Sequence, residues 1–287
     1  MKPRASRRDE GPLAAPRGVG PGSRFLRGEE GNTIAELLAA SFLSLLVLSV
    51  VFGAVRAQGR SAAIQSGAAD AHLTIRGASE ILLSDLRMAG FGMLAVPPAS
   101  DLPPIEVTRA SGTTTLVLRG NFSNATAALA QAAAVGASQL VVTPTAGSGS
   151  FKSGNRLVVD SGLASEVRTI TGVSASGSNL TLSLDTPLAR SYPIGPDVAQ
   201  IESVTYALAS GVLRRAGQVL ADDVTSFDLS FIDQAGTPSA SPGTSPRSAV
   251  LNLGARQAAP AADAPKVASS VSIEAHLRNL AMRWDAG

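Results

Sequence analysis

The chain has 287 residues, with 24 Lys and Arg against 22 Asp and Glu, two His and no Cys. Without cysteine there is no disulfide framework, no thiolate metal site and no thiol nucleophile. Residues 1–31 hold seven basic groups (Lys2, Arg4, Arg7, Arg8, Arg17, Arg24, Arg27) and four acidic ones, leaving 17 basic against 18 acidic beyond them, too even a balance for a nucleic-acid-binding field.

After this leader, Leu37 to Val55 form nineteen uncharged residues, LLAASFLSLLVLSVVFGAV. As a helix they span roughly 28 Å, close to the hydrocarbon thickness of a bilayer. The run exceeds the core of a secretory signal peptide. The basic leader precedes it and Arg56 and Arg60 close it, so the positive-inside rule keeps the N-terminus cytoplasmic and exports the rest. At its entry, in Gly31-Asn32-Thr33-Ile34-Ala35-Glu36-Leu37-Leu38, stands one acid. An unpaired carboxylate costs on the order of 2.5–3.5 kcal/mol at full membrane depth and less near the interface. Glu36 therefore either rests in the helix's first turn among headgroups, where the dipole favours it, or awaits a positive partner.

The Gly-Asn-Thr-Ile-Ala-Glu-Leu run resembles the class III signal of type IV pilins and pseudopilins, in which a Gly precedes the cut and a Glu stands fifth after it. The resemblance implies a prepilin peptidase that cleaves between Gly31 and Asn32 on the cytoplasmic side and methylates the new amine of Asn32. It also implies that Glu36 neutralises the N-terminal amine of a neighbouring subunit. Residues 1–31 are then a removed leader, and 32–56 are both membrane span and filament-core helix.

Over residues 57–92 the pattern turns amphipathic. Ile64, Ala68, Ala71, Ile75, Ala78, Leu82 and Leu86 recur at steps of four and three. A helix from Asn32 to about Met88 is roughly 85 Å long. Gly59, Gly67 and Gly77 interrupt it at a cost of about 1 kcal/mol each relative to Ala. Gly90 and Gly92 read as its stop, and Pro97-Pro98 forbids continuation. The segment Ile81–Gly92, with Asp85-Leu86-Arg87-Met88-Ala89-Gly90-Phe91, is similar to the signature that closes the long helix of PilW-type minor pilins. Taken as a plain helix end, it has Leu82 and Leu86 as core and Asp85 and Arg87 as solvated charges.

After Pro103-Pro104 the period switches to two. The alternation and its Gly, Ser, Asn, Asp and Pro punctuation predict strands at 105–109, 114–119, 139–143, 156–160, 166–170, 179–184, 198–208, 212–215, 224–232, 249–253 and 267–277. The strand density between about 136 and 196 suggests a small barrel-like β module inserted in the main sheet. Gln234–Arg247 and Gly254–Lys266, rich in Ala, Ser, Gly and Pro, read as display loops or disorder at hairpin tips. The expected fold is α+β: a long N-terminal helix packed on an antiparallel β-sheet domain spanning 93–287. The C-terminal layout also looks like that of PilW-type and J-type proteins.

No catalytic residue is assigned. His72 and His276 lie far apart in sequence, and the H-E-x-x-H, G-x-S-x-G and P-loop patterns are missing. Asp222-Asp223 supplies at most half a cation site, so no metal or cofactor is expected. Asn121-Phe-Ser, Asn124-Ala-Thr and Asn179-Leu-Thr fit the glycosylation pattern. The resemblance implies a minor pilin acting at the tip or in priming, with roles in pilus assembly, motility or adhesion. Its partners would be the peptidase, other pilins and, before assembly, the inner membrane, with the C-terminal domain exported. A J-type pseudopilin of type II secretion is the close alternative, and a membrane-tethered binding or hydrolase domain the remote one.

Overall fold

In its computed structural model the chain is described over residues 33–93, 102–110, 113–243, 246–257 and 267–280. Gly31, Asn32, the leader before them and Pro97-Pro98 lie outside those residues. The chain divides into two compact units, Met1–Val55 and Arg56–Gly287. The class is α+β: among the described residues one long helix, α1 (Ile34–Met88), precedes fourteen antiparallel strands.

In the first unit α1 is apolar all round, with a mean hydropathy of 2.4 over its best 18-residue window and none of that window buried. It is long and apolar enough to cross a membrane. Phe42 is 66% exposed, Leu45 67% and Phe52 63%. In a monomeric soluble protein such a surface is a liability.

In the second unit α1 becomes one-sided. Ala71, Ile75, Ala78, Leu82 and Leu86 are buried, whereas Arg76, Glu80 and Arg87 are exposed. Ile64 and Ala68, at the upper end of the same stripe, are half-buried. The helix stops where the glycines predict. Gly90 (φ 79°) and Gly92 (φ 70°) are left-handed, and Gly90 N–H donates to Arg119 O at 2.8 Å. A Cβ at Gly90 would stand 2.5 Å from Leu280 Cδ2, so the position requires glycine on both counts.

The strands are β1 (Ile105–Ala110), β2 (Thr113–Gly120), β3 (Thr126–Leu129), β4 (Gln139–Pro144), β5 (Arg156–Asp160), β6 (Ser165–Ser176) and β7 (Asn179–Leu184). They continue with β8 (Asp197–Ala209), β9 (Val212–Arg215), β10 (Gln218–Ala221), β11 (Val224–Asp233), β12 (Pro238–Ser239), β13 (Pro246–Gln257) and β14 (Val267–His276). The pivot is β8. Its C-terminal part lies between β2, paired through Glu202–Ala209, and β9, paired through Tyr206–Ala209. Its N-terminal part takes β3 on one side and β5 on the other at the same residues, Asp197–Ala199. Since β3 continues to β4, β7, β6 and back to β5, these strands close into a ring. Closure removes both sheet edges, and a register shift between Ile170 and Gly172 supplies the local bend. Leu140, Val142, Leu157, Val159, Ile170, Leu182 and Val198 fill the ring. On β5 the opposite face is also buried, Val158 joining Met93, Leu102 and Ile201. The continuous apolar run Leu157-Val158-Val159 thereby finds cover on both sides. The ring takes in β3, ahead of the anticipated start near 136.

Strands β1 and β10 extend the first sheet on β2 and β9, and the other four form a second sheet, β12-β11-β13-β14. Phe227, Leu229, Phe231, Leu251 and Leu253 from this sheet share one core with Leu116, Leu118 and Tyr206 of the first. Ile75, Leu82 and Leu86 of α1 belong to that same core.

Three short strands escape the sequence pattern: β3 and β10, of four residues each, and β12, of two. The Thr-Ala-Ala-Leu of β3 has little β-propensity of its own and is held by partners on either side. Gln234–Arg247 is not loop throughout, because Pro238–Ser239 pairs with Phe231 and Ile232, and β13 already begins at Pro246. Likewise Gly254–Gln257 extends β13 opposite Val267–Ser270. Residues 258–266 lie outside the described residues.

Leu82 is fully buried, so Leu82→Ala is expected to cost about 2–5 kcal/mol in denaturant unfolding. Leu163→Ala, at a side chain 98% exposed, should leave the midpoint unchanged.

Candidate functional site

The entry to α1 is built by two side chains that satisfy each other's backbone. Thr33 N–H donates to Glu36 Oε2 at 2.9 Å, and Glu36 N–H donates to Thr33 Oγ1 at 3.4 Å. This is a capping box, which pairs two of the donors that a helix start leaves without intrahelical partners. The helix dipole adds to it by favouring a carboxylate in the first turn. Sequence pattern alone placed Glu36 as an acid without a named partner in its own chain; the structure supplies Thr33. Both groups are exposed. Gly31 and Asn32, the other processing residues, lie outside the described residues.

A second polar cluster lies in the Arg56–Gly287 unit and overturns one expectation. Asp85 is not a solvated charge: it is 8% exposed. Tyr206 Oη donates to its Oδ2 at 2.6 Å, and Arg215 Nε donates to the same oxygen at 2.8 Å. Arg215 also lies 3.2 Å from the tyrosine hydroxyl. Burial pushes the Tyr206 hydroxyl well above its ordinary range, and its hydrogen bond to Asp85 adds to the shift. The bond to Asp85 holds the Arg215 guanidinium charged more firmly than usual. Asp85 turns inward because it stands three residues after Leu82, on the buried stripe. Arg87 falls on the outer face and remains exposed. No spacing in the sequence links position 85 to positions 206 and 215. A buried carboxylate held this way fixes helix register; its acceptor is already occupied by two donors.

A third cluster sits in the ring. The Glu166 carboxylate accepts Ala189 N–H at 2.9 Å and Arg190 N–H at 3.3 Å, and pairs with Arg168. Near it the Tyr192 hydroxyl is buried with no hydrogen-bond partner among the described residues. Burial, and secondarily the negative Glu166, pushes that hydroxyl up to about 12.

The histidines are not brought together. His72 contacts Ser269 Oγ through Nδ1 at 2.9 Å, and His276 is exposed on β14. Among the described residues no group of three or more His, Asp or Glu stands close enough to hold a metal ion. Asp222 and Asp223 are exposed turn residues, with Asp223 at φ 55°. Of the three Asn-x-Ser/Thr sites, Asn121 is 1% exposed and uses both ends of its amide on Ala125, at 3.1 and 2.8 Å. Asn179 Oδ1 accepts from Thr143 at 2.8 Å. Asn124 is exposed, at φ 55°.

Asp85→Ala would strand Tyr206 and Arg215, and is expected to cost about 3 kcal/mol in urea unfolding. Tyr206→Phe should cost about 1 kcal/mol. The pH dependence has a definite sign. Tyr192 and Tyr206, the only tyrosines, both hold their protons more tightly folded than unfolded. Their contribution is whole below about pH 10, the unfolded value, and declines as pH rises toward the folded value of about 12 for Tyr192. Tyrosinate absorbance should therefore rise together with loss of the fold, which circular dichroism can follow from pH 9 to 12.

No protein-family model matches this chain, and no curated protein matches it.

Proposed function

We propose that this chain is a minor type IV pilin: a structural subunit made as a membrane-anchored prepilin, cut between Gly31 and Asn32, and then moved into a filament at its tip or in its priming complex. The observation that carries this reading is the uncovered helix. From Ile34 to Val55 every side chain of α1 is exposed among the described residues, and its window hydropathy is 2.4. Such a surface needs lipid, other helices, or first one and then the other. In a bilayer the apolar flank meets hydrocarbon at no cost. In a filament the same flank meets equivalent helices from neighbouring subunits.

The capping box bears on what Glu36 does in each place. Within its own chain the carboxylate is shared with Thr33 N–H. Cleavage after Gly31 would put a cationic amine on Asn32, one residue ahead of the cap. In a low-dielectric bundle a neighbour's amine attracts that carboxylate strongly, and removing either member leaves the other stranded. On this reading the inner membrane holds the chain by a single pass, with the β domain exported.

Mass spectrometry of the protein extracted from membranes tests the proposal: the first residue should be Asn32, one methyl group heavier, with residues 1–31 gone. An intact leader would refute it. The two roles of Glu36 separate in substitution. Glu36→Gln keeps an acceptor for Thr33 N–H but loses the charge. If the amine is the partner that matters, Glu36→Gln and Glu36→Ala should both be cleaved normally and both fail to enter filaments. Wild-type incorporation of Glu36→Gln would reduce the residue to a helix cap.

A further inference from the structure

We draw no further inference here: the strongest candidate, the set of exposed apolar side chains Val135, Leu163 and Ile194 on the loops around the start of β8, forms an apolar rim on the ring, and nothing in the structure shows what covers it.

Discussion

One stripe of α1, from Ile75 to Leu86, belongs to a single core that both sheets line. The helix residues join the apolar faces of the two sheets in that one core. Asp85 gives that stripe its register. A buried Leu or Ile side chain contributes about 1.5–3 kcal/mol and tolerates sliding, whereas a carboxylate holding a phenol at 2.6 Å and a guanidinium at 2.8 Å does not. Displacing the helix by one turn would leave the buried Asp85 and Tyr206 without each other and Arg215 without its carboxylate. The apolar stripe sets how strongly the second unit holds together, and the polar triad sets where.

The same helix has opposite demands on its two halves, and the sequence states them in different periods. Residues 37–55 are apolar without periodicity, the pattern of a helix long and apolar enough to cross a membrane. Beyond Arg60 the period of 3.6 appears because one side faces water. That change of pattern, like the two-residue alternation of the long strands, follows from local physics and was therefore legible. Strands β5, β7 and β9 start and stop where alternation and turn residues say they must.

Other features were closed to sequence reading for an equally physical reason. The Thr-Ala-Ala-Leu of β3 is a strand only because β4 and β8 flank it, and the two residues of β12 are a strand only because β11 offers an edge. Ring closure depends on β8 presenting both its edges at Asp197–Ala199, which no window of residues announces. Asp85 is the sharpest case. Helical spacing places it on the buried side three residues after Leu82, but charged residues seldom go inside, so solvent was the natural expectation. Its compensating partners lie 121 and 130 residues away. At the candidate assembly site the acid was legible and its partner in the chain was not, although Thr-x-x-Glu before an apolar run is a recognisable capping pattern.

The last pair of the β2–β8 ladder is Gly120 opposite Glu202. Everything between them, the whole closed ring, therefore leaves and re-enters the parent sheet at facing positions, as the loop of a very large hairpin would. Such an arrangement is modular: a short turn could join the two strands in the ring's place, and another cassette with closely spaced ends could be spliced there, without asking α1 or the β11–β14 sheet to change.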